Sequence, residues 1–207
     1  MNRSMIRYLL SKLLLIEAAL LIVPLVVAAI YREPAKVFVS IGATMAILLG
    51  LGLLGSFHKP KDFHIYAKEG VLIVALCWIL WSFFGALPFV FSGEIPSFVD
   101  AFFETVSGFT TTGSTILTDV EALSHCMLFW RSFSHWIGGM GILVFMLAIV
   151  RMDGGQAIHL LRAESPGPTV SKMVPRMADS SKILYGIYFG LTVLQILFYL
   201  AGGEPLL

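Results

Sequence analysis

The stretch PSFVDAFFETVSGFTTTGSTIL, residues 96–117, lies between two apolar runs that are each long enough to cross a membrane. Its first half predicts a helix of about three turns that starts at Pro96 and Ser97, ends near Gly108 and reaches only partway into a bilayer. Its second half, from residue 110, is β-branched and favours an extended, returning backbone. Together they predict a re-entrant pore loop, because irregular backbone at membrane depth must be buried by protein or line water.

The rest of the sequence is typical of an integral membrane protein. Of its 207 residues, 57% are hydrophobic and 13% are charged, and the mean hydropathy of +0.87 excludes a soluble globular domain. The net charge of +1 argues against a nucleic-acid partner. Since a hydrocarbon core about 30 Å thick needs about 20 apolar helical residues, we predict five spanning helices. They cover residues 13–30, 37–57, 71–93, 122–150 and 183–203.

The basic residues predict a cytoplasmic N-terminus, because the cytoplasmic flanks of spans collect Lys and Arg. In that orientation eleven of the fourteen lie inside, whereas Arg32 and Lys36 lie outside and Arg131 lies within a span. The eleven are Arg3, Arg7, Lys12, Lys59, Lys61, Lys68, Arg151, Arg162, Lys172, Arg176 and Lys182. The sequence thus predicts a multi-pass protein in the lipid bilayer, with its N-terminus in the cytoplasm.

The backbone carbonyls of Thr110, Thr111, Thr112 and Gly113 are candidate cation ligands. An extended segment that turns successive carbonyl oxygens to one side can replace the hydration shell of an alkali cation, and glycine permits a positive φ. The carboxyl end of the short helix, near Phe109, adds the negative end of its dipole. Four such loops must converge, from repeats in one polypeptide or from several chains. The alternative is a polar turn between two helices.

Two charged residues inside the apolar segments are candidates for supporting this loop. An unpaired carboxylate is costly in the membrane, so we expect Glu104 to accept hydrogen bonds from the backbone N–H groups of the filter residues or to pair with Arg131. The alternatives are an acid that faces water at the outer surface and an arginine that anchors the interface. Gly138, Gly139 and Gly141 predict close helix packing or a hinge.

No sequence pattern predicts an enzyme. The histidines lack the HExxH spacing of a zinc protease, and the chain contains neither a GxSxG nucleophile motif nor a GxxxxGK phosphate-binding loop. A disulfide between Cys77 and Cys126 is not expected, because the first lies within an uncharged apolar run. We predict transport without covalent chemistry or a cofactor.

Three strings resemble the membrane subunits of Trk-type potassium uptake systems, the TrkH and TrkG branch of a superfamily that includes KtrB and the plant HKT transporters. They are FFETVSGFTTTGSTI at 102–116, FWRSFSHWIGGMGILV at 129–144 and PGPTVSKMVPRMADSSKILYGIYFGLT at 166–192. The resemblance implies an all-α integral membrane fold with four span–pore loop–span units around one potassium pathway. The first two spans match the extra helix pair of the TrkH branch.

The resemblance implies that K⁺ is bound at Thr111, Thr112 and Gly113, with Gly113 as the first filter glycine and the Thr110 carbonyl as a further ligand. It implies uptake that is either passive or coupled to another cation, as in symport. A serine in one of the four strands can admit Na⁺ in this family, so a single strand leaves the choice between K⁺ and Na⁺ open.

The chain resembles an N-terminal fragment of such a protein. The Gly, Glu and Pro that close one span at 93–96 recur at 203–205, where a second unit would continue. The predicted parts are an N-terminal helix pair (1–68), a span–loop–span unit (69–151), a cytoplasmic linker (152–182) and the first span of a second unit (183–207).

The same resemblance implies partners. The linker is expected to dock a cytoplasmic nucleotide-binding regulatory subunit of the TrkA kind, and the full-length protein is expected to be a homodimer. Two other interpretations stay open: a membrane scaffold that carries no ions, and an oligomeric cation channel with one pore loop per chain.

Overall fold

The computed structural model describes residues 2–57, 60, 67–141 and 177–202, and the regular structure within them is α-helical. The helices, numbered in chain order, are α1 (Arg3–Leu20), α2 (Ile22–Ile30), α3 (Ala35–Ser56), α4 (Ala67–Ser92), α5 (Phe98–Phe109), α6 (His125–Met140) and α7 (Met177–Gly202). In this part of the chain, four segments are long and apolar enough to cross a membrane: Arg3–Ile30, Ala35–Ser56, Lys68–Ser92 and Ile183–Gly202.

The first span is longer than predicted, and it is broken. Its helix starts well before the predicted apolar run, because the side chain of Asn2 caps α1 by accepting the N–H of Met5 at 3.1 Å. α1 ends at Leu20, and α2 begins after a turn at Leu21. Pro24 accounts for the break, since it lacks the N–H that would bond the carbonyl four residues earlier.

Residues from α1 to α6 form one buried hydrophobic core. α1 and α3 approach closely, since a Cβ on Gly55 would overlap the hydroxyl of Ser11. α1 is also tied to α4, because the indole N–H of the buried Trp81 donates to the carbonyl of Leu13 at 3.2 Å. The N-terminal helix pair is therefore packed onto the unit that carries the pore loop.

Helix α5 follows α4 after a tight turn in which Gly93 has a φ of 79°. Ser97 caps α5 by accepting the N–H of Asp100 at 3.4 Å, so the helix starts where the sequence predicts. The hydroxyl of Thr105 donates to the carbonyl of Ser82 at 2.7 Å and fixes α5 to α4. With 12 residues, α5 is about 18 Å long and too short to cross a bilayer.

Helix α6 is shorter than the span predicted over residues 122–150. Ser124 caps its start, and Gly141 ends it with a φ of 82°. A left-handed residue cannot continue a right-handed helix, which explains why the predicted continuous helix is wrong at this position. Residues 142–176 lie outside the described part, and so does most of the predicted linker at 152–182.

Helix α7 contacts α6 through polar groups. The indole N–H of Trp136 donates to the hydroxyl of Thr192 at 3.0 Å, and the hydroxyl of Tyr188 donates to the carbonyl of Trp136 at 3.1 Å. Most of the large apolar side chains of α7 are exposed. The second Gly, Glu and Pro motif, at 203–205, lies outside the described residues.

Candidate ion-binding site

The loop after α5 turns its N–H groups back toward the helix that it leaves. The N–H groups of residues 110–112 donate to the carbonyl oxygens of residues 106–108, each at 2.9 Å. Within the described chain, nothing donates a hydrogen bond to the carbonyl oxygens of residues 110–113, and all four residues are exposed. The predicted ligand carbonyls are therefore free backbone acceptors at this surface.

The backbone of this loop alternates in handedness rather than running extended. Thr110 has a φ of −82°, Thr111 has a φ of 55° and Gly113 has a φ of 77°. Such alternation gathers successive N–H groups on one side, whereas a pleated strand alternates them. The left-handed conformation costs the β-branched Thr111 about 1–3 kcal/mol, so surrounding contacts must hold it in place. The predicted extended return is wrong at this residue.

The hydroxyls of Thr110 and Thr112 are engaged inside the loop. The hydroxyl of Thr110 donates to the carbonyl of Val106 at 2.7 Å and lies 2.8 Å from the hydroxyl of Thr112. The backbone carbonyls of residues 110–113 and the hydroxyl of Thr111 are left for an ion, and carbonyls are the ligand type that replaces the hydration shell of K⁺. In the part of the chain that the structure describes, no group of three or more His, Cys, Asp and Glu side chains converges to hold a metal ion.

Glu104 ties the returning loop to α6. Its buried side chain accepts hydrogen bonds on one oxygen from the N–H of Ile116 at 2.7 Å and from the hydroxyl of Thr115. The other oxygen accepts the Nε–H of Arg131 at 2.9 Å, and the arginine side chain is only 14% exposed. The predicted pairing with Arg131 is present, the backbone donor is Ile116 rather than one of the residues at 110–113, and the carboxylate does not face water.

Ser107 is a second anchor, which the sequence analysis missed. Its hydroxyl donates to the carbonyl of Ser114 at 2.6 Å, directly after the four free carbonyls. Ser107 lies three residues after Glu104, so both are on one face of α5. Two polar residues at that spacing in an apolar helix are the sequence signal for the face that the loop covers.

The carboxyl end of α5 rests directly on α6. A Cβ on Gly138 would overlap the carbonyl group of Phe109. Gly139 faces α7, where a Cβ would lie 2.5 Å from the hydroxyl oxygen of Tyr188. These two glycines therefore allow close packing, one of their two predicted roles, whereas Gly141 ends the helix.

The C-terminal end of α4 and the N-terminal end of α6 are also joined, by a contact that no sequence pattern predicts. Glu94, just after α4, accepts the N–H of Ser124 at 2.8 Å and its hydroxyl at 2.7 Å. Because Ser124 is the N-cap of α6, this carboxylate connects the two ends of the segment that contains α5 and the loop, across a sequence separation of 30 residues.

Residues 35–202 match the family model described as TrkH, cation transport protein. The chain belongs to the TrkH family. The Trk system potassium uptake protein TrkH of Escherichia coli (strain K12) is 42% identical over 184 residues, which cover 87% of this chain and 38% of that relative. TrkG of the same strain is 35% identical over 185 residues, which cover 88% of this chain and 38% of TrkG.

A solved TrkH structure shows the same helical arrangement as this TrkH-family chain. The crystal structure of the potassium transporter TrkH from Vibrio parahaemolyticus superimposes with a TM-score of 0.78 at 33% identity, covering 98% of this chain and 40% of that one. The predicted family resemblance and the all-helical membrane fold are thereby confirmed. This chain spans about two fifths of the length of the TrkH relatives that it matches.

Proposed function

We propose that this chain contributes one strand of a K⁺ selectivity filter to a potassium uptake protein of the cytoplasmic membrane. The main support is that the carbonyl groups of residues 110–113 are exposed and accept no hydrogen bond from the described residues. The N–H groups of residues 110–112 instead donate to carbonyl oxygens at the end of α5. The relatives are named as potassium uptake proteins and a potassium transporter, which supports K⁺ as the ion.

In such a filter, K⁺ is coordinated by neutral carbonyl dipoles rather than by charged side chains. K⁺ enters a filter when carbonyl oxygens replace its water shell, and four strands are needed to surround it. The negative end of the α5 dipole, at Phe109, favours a cation in front of this loop. One strand cannot enclose an ion, so three further strands must come from elsewhere in the functional protein.

Glu104 and Arg131 act as positioning residues in this proposal. The carboxylate holds the backbone at Ile116, just past the filter strand, and the arginine on α6 neutralises it. Because both are largely buried, either charge alone would be costly. The pair therefore fixes the distance between α6 and the returning loop.

Transport by this protein needs no covalent step. K⁺ moves down its electrochemical gradient, passively or with a coupled cation, and the membrane potential supplies about 2.3 kcal/mol per charge for each 100 mV. The excess of basic residues on one side supports a cytoplasmic N-terminus.

The proposed partners are a second copy of the full-length protein and a cytoplasmic nucleotide-binding subunit of the TrkA kind. The segment at 152–182, which contains four basic and three acidic residues, is the proposed docking surface. Cross-linking of the native membrane complex measures both stoichiometries.

The test is K⁺ uptake by bacteria that lack their own uptake systems and express this chain as part of the full-length protein. Gly113→Ala forces a side chain into a left-handed φ at a cost of about 1–2 kcal/mol, so we expect uptake to fall about tenfold or more. Gly42→Ala is the matched control, since a Cβ there meets nothing within 4 Å and should change uptake little.

The outcomes separate the proposed function from its alternatives. Equal uptake by the Gly113→Ala and Gly42→Ala variants contradicts a filter role for the loop. No uptake by the unaltered protein favours the scaffold that carries no ions. Uptake together with cross-linked tetramers of this chain favours a channel with one loop per chain.

A further inference from the structure

Glu17 is a carboxylic acid in the middle of the first span, and neither the filter nor its supports use it. Its side chain is completely buried. Neither of its oxygens has a hydrogen-bond partner among the described residues. This distinguishes it from Glu104, which is also buried but has three donors.

The Glu17 carboxyl lies where α1 packs against α4, the first helix of the unit that carries the pore loop. One of its oxygens is 3.6 Å from the point that a Cβ on Gly85 of α4 would occupy. The same point is 3.1 Å from the ring of Phe109 and 3.5 Å from the ring of Trp130. The carboxyl thus lies beside the Gly85 backbone, where α1, α4, α5 and α6 meet and where the rings of Phe109 and Trp130 approach the same point.

No charge in the described residues compensates for Glu17. The titratable side chains on its own helix and on the helices around it neither hydrogen-bond nor ion-pair with it. They are Arg3, Arg7, Tyr8 and Lys12 on α1, Lys36 on α3, Lys68, Glu69 and Cys77 on α4, Asp100 and Glu104 on α5, and His125, Cys126, Arg131 and His135 on α6.

We propose that Glu17 is a proton-binding site: it holds a proton in the folded protein at neutral pH, and the neutral acid lets α1 pack against the pore unit formed by α4, α5 and α6. A carboxylate without a partner in an apolar interior is far more costly than the neutral acid. Loss of the proton therefore requires α1 to separate from α4, where Trp81 now bonds the carbonyl of Leu13. The inference does not depend on ion transport.

The proposal predicts how many protons unfolding releases. An unfolded glutamate is ionised at neutral pH, so unfolding of the native protein releases the Glu17 proton, and the unfolding equilibrium constant rises an extra tenfold per pH unit. Glu17→Gln keeps the size and neutrality of the acid but has no proton to release. Glu121→Gln is the matched control, because Glu121 is exposed in the folded protein.

The experiment is reversible unfolding of the full chain in mixed micelles, between about pH 6 and about pH 8. Over this range we expect the unfolding equilibrium constant of the unaltered protein to rise about 100-fold more than that of Glu17→Gln, which is the effect of one released proton. Glu121→Gln should have the same pH dependence as the unaltered protein. Parallel curves for the unaltered protein and Glu17→Gln overturn the proposal. Should Glu17→Gln fail to fold, infrared spectroscopy decides: a carboxylic-acid C=O band that persists in D₂O at neutral pH supports the proposal, and its absence overturns it.

Discussion

The carbonyl oxygen of Phe109, the last residue of α5, occupies the space that a side chain at Gly138 would need. The end of the short helix is therefore seated on the backbone of α6, without an intervening side chain. Because the free carbonyls at 110–113 begin at the next residue, this contact sets their position relative to α6.

Replacing Gly138 with alanine should unseat α5. The added methyl group meets backbone rather than a flexible side chain, so α5 or α6 must shift. We expect a loss of about 1–3 kcal/mol in the free energy of unfolding, as in other overpacked cores. Thermal unfolding in detergent micelles measures the change.

Gly186→Ala on α7 is the control for Gly138→Ala. A Cβ on Gly186 meets nothing within 4 Å, so alanine there should leave the stability unchanged or raise it by up to about 1 kcal/mol, through its higher helix propensity. Equal stability of the two variants would show that α5 does not rest on α6 in this way.

The pair of Glu104 and Arg131 should behave as one unit. Glu104→Gln leaves a largely buried guanidinium without its counter-charge, and Arg131→Gln leaves the carboxylate without its own. Each single variant should lower the free energy of unfolding by about 3–5 kcal/mol. The loss in the double variant should be smaller than the sum of the two single losses by about 1–3 kcal/mol. A double-mutant cycle on unfolding free energies measures this coupling.

Ion selectivity provides a second readout of the same pair. If Glu104 positions the filter strand, Glu104→Gln should lower the ratio of K⁺ to Na⁺ uptake in cells, whereas Glu121→Gln at an exposed site should not. An unchanged ratio in Glu104→Gln would restrict the pair to a structural role.

Ser107→Ala should weaken the attachment of the filter strand at Ser114, the residue that follows Gly113. It removes the hydrogen bond to the carbonyl of Ser114, which should cost about 0.5–1.5 kcal/mol. Ser132→Ala, at an exposed position on α6, should stay within about 0.5 kcal/mol. Hydrogen exchange at the amides of residues 114–117 should accelerate in the first variant alone. Equal exchange in both would contradict the anchor.

Much of the fold could be predicted from the sequence, because hydropathy determines which segments enter a membrane. The short helix was predicted correctly at its start, since Pro96 and Ser97 are local signals. The break at Leu21 and the end of α6 were missed, because the apolar runs continue through both. A proline inside α2 and the positive φ of Gly141 determine them instead.

The candidate site was predictable only in part. The paired charges of Glu104 and Arg131 followed from the high cost of either one alone in an apolar setting. The left-handed Thr111 did not, because β-branched residues ordinarily disfavour that conformation. The Glu94 contact with Ser124 spans 30 residues, and no local pattern in the sequence specifies it.

The most direct test of the filter proposal changes one carbonyl and no side chain. An ester in place of the amide between Thr112 and Gly113 weakens the Thr112 carbonyl as a ligand, and the N–H that it removes donates to no described residue. We predict that the apparent affinity for K⁺ in uptake falls about twofold to fivefold, roughly 0.5–1 kcal/mol for one ligand. An ester between Leu117 and Thr118 should leave that affinity unchanged. Equal affinities in both esters and the unaltered protein would contradict coordination of K⁺ by this loop.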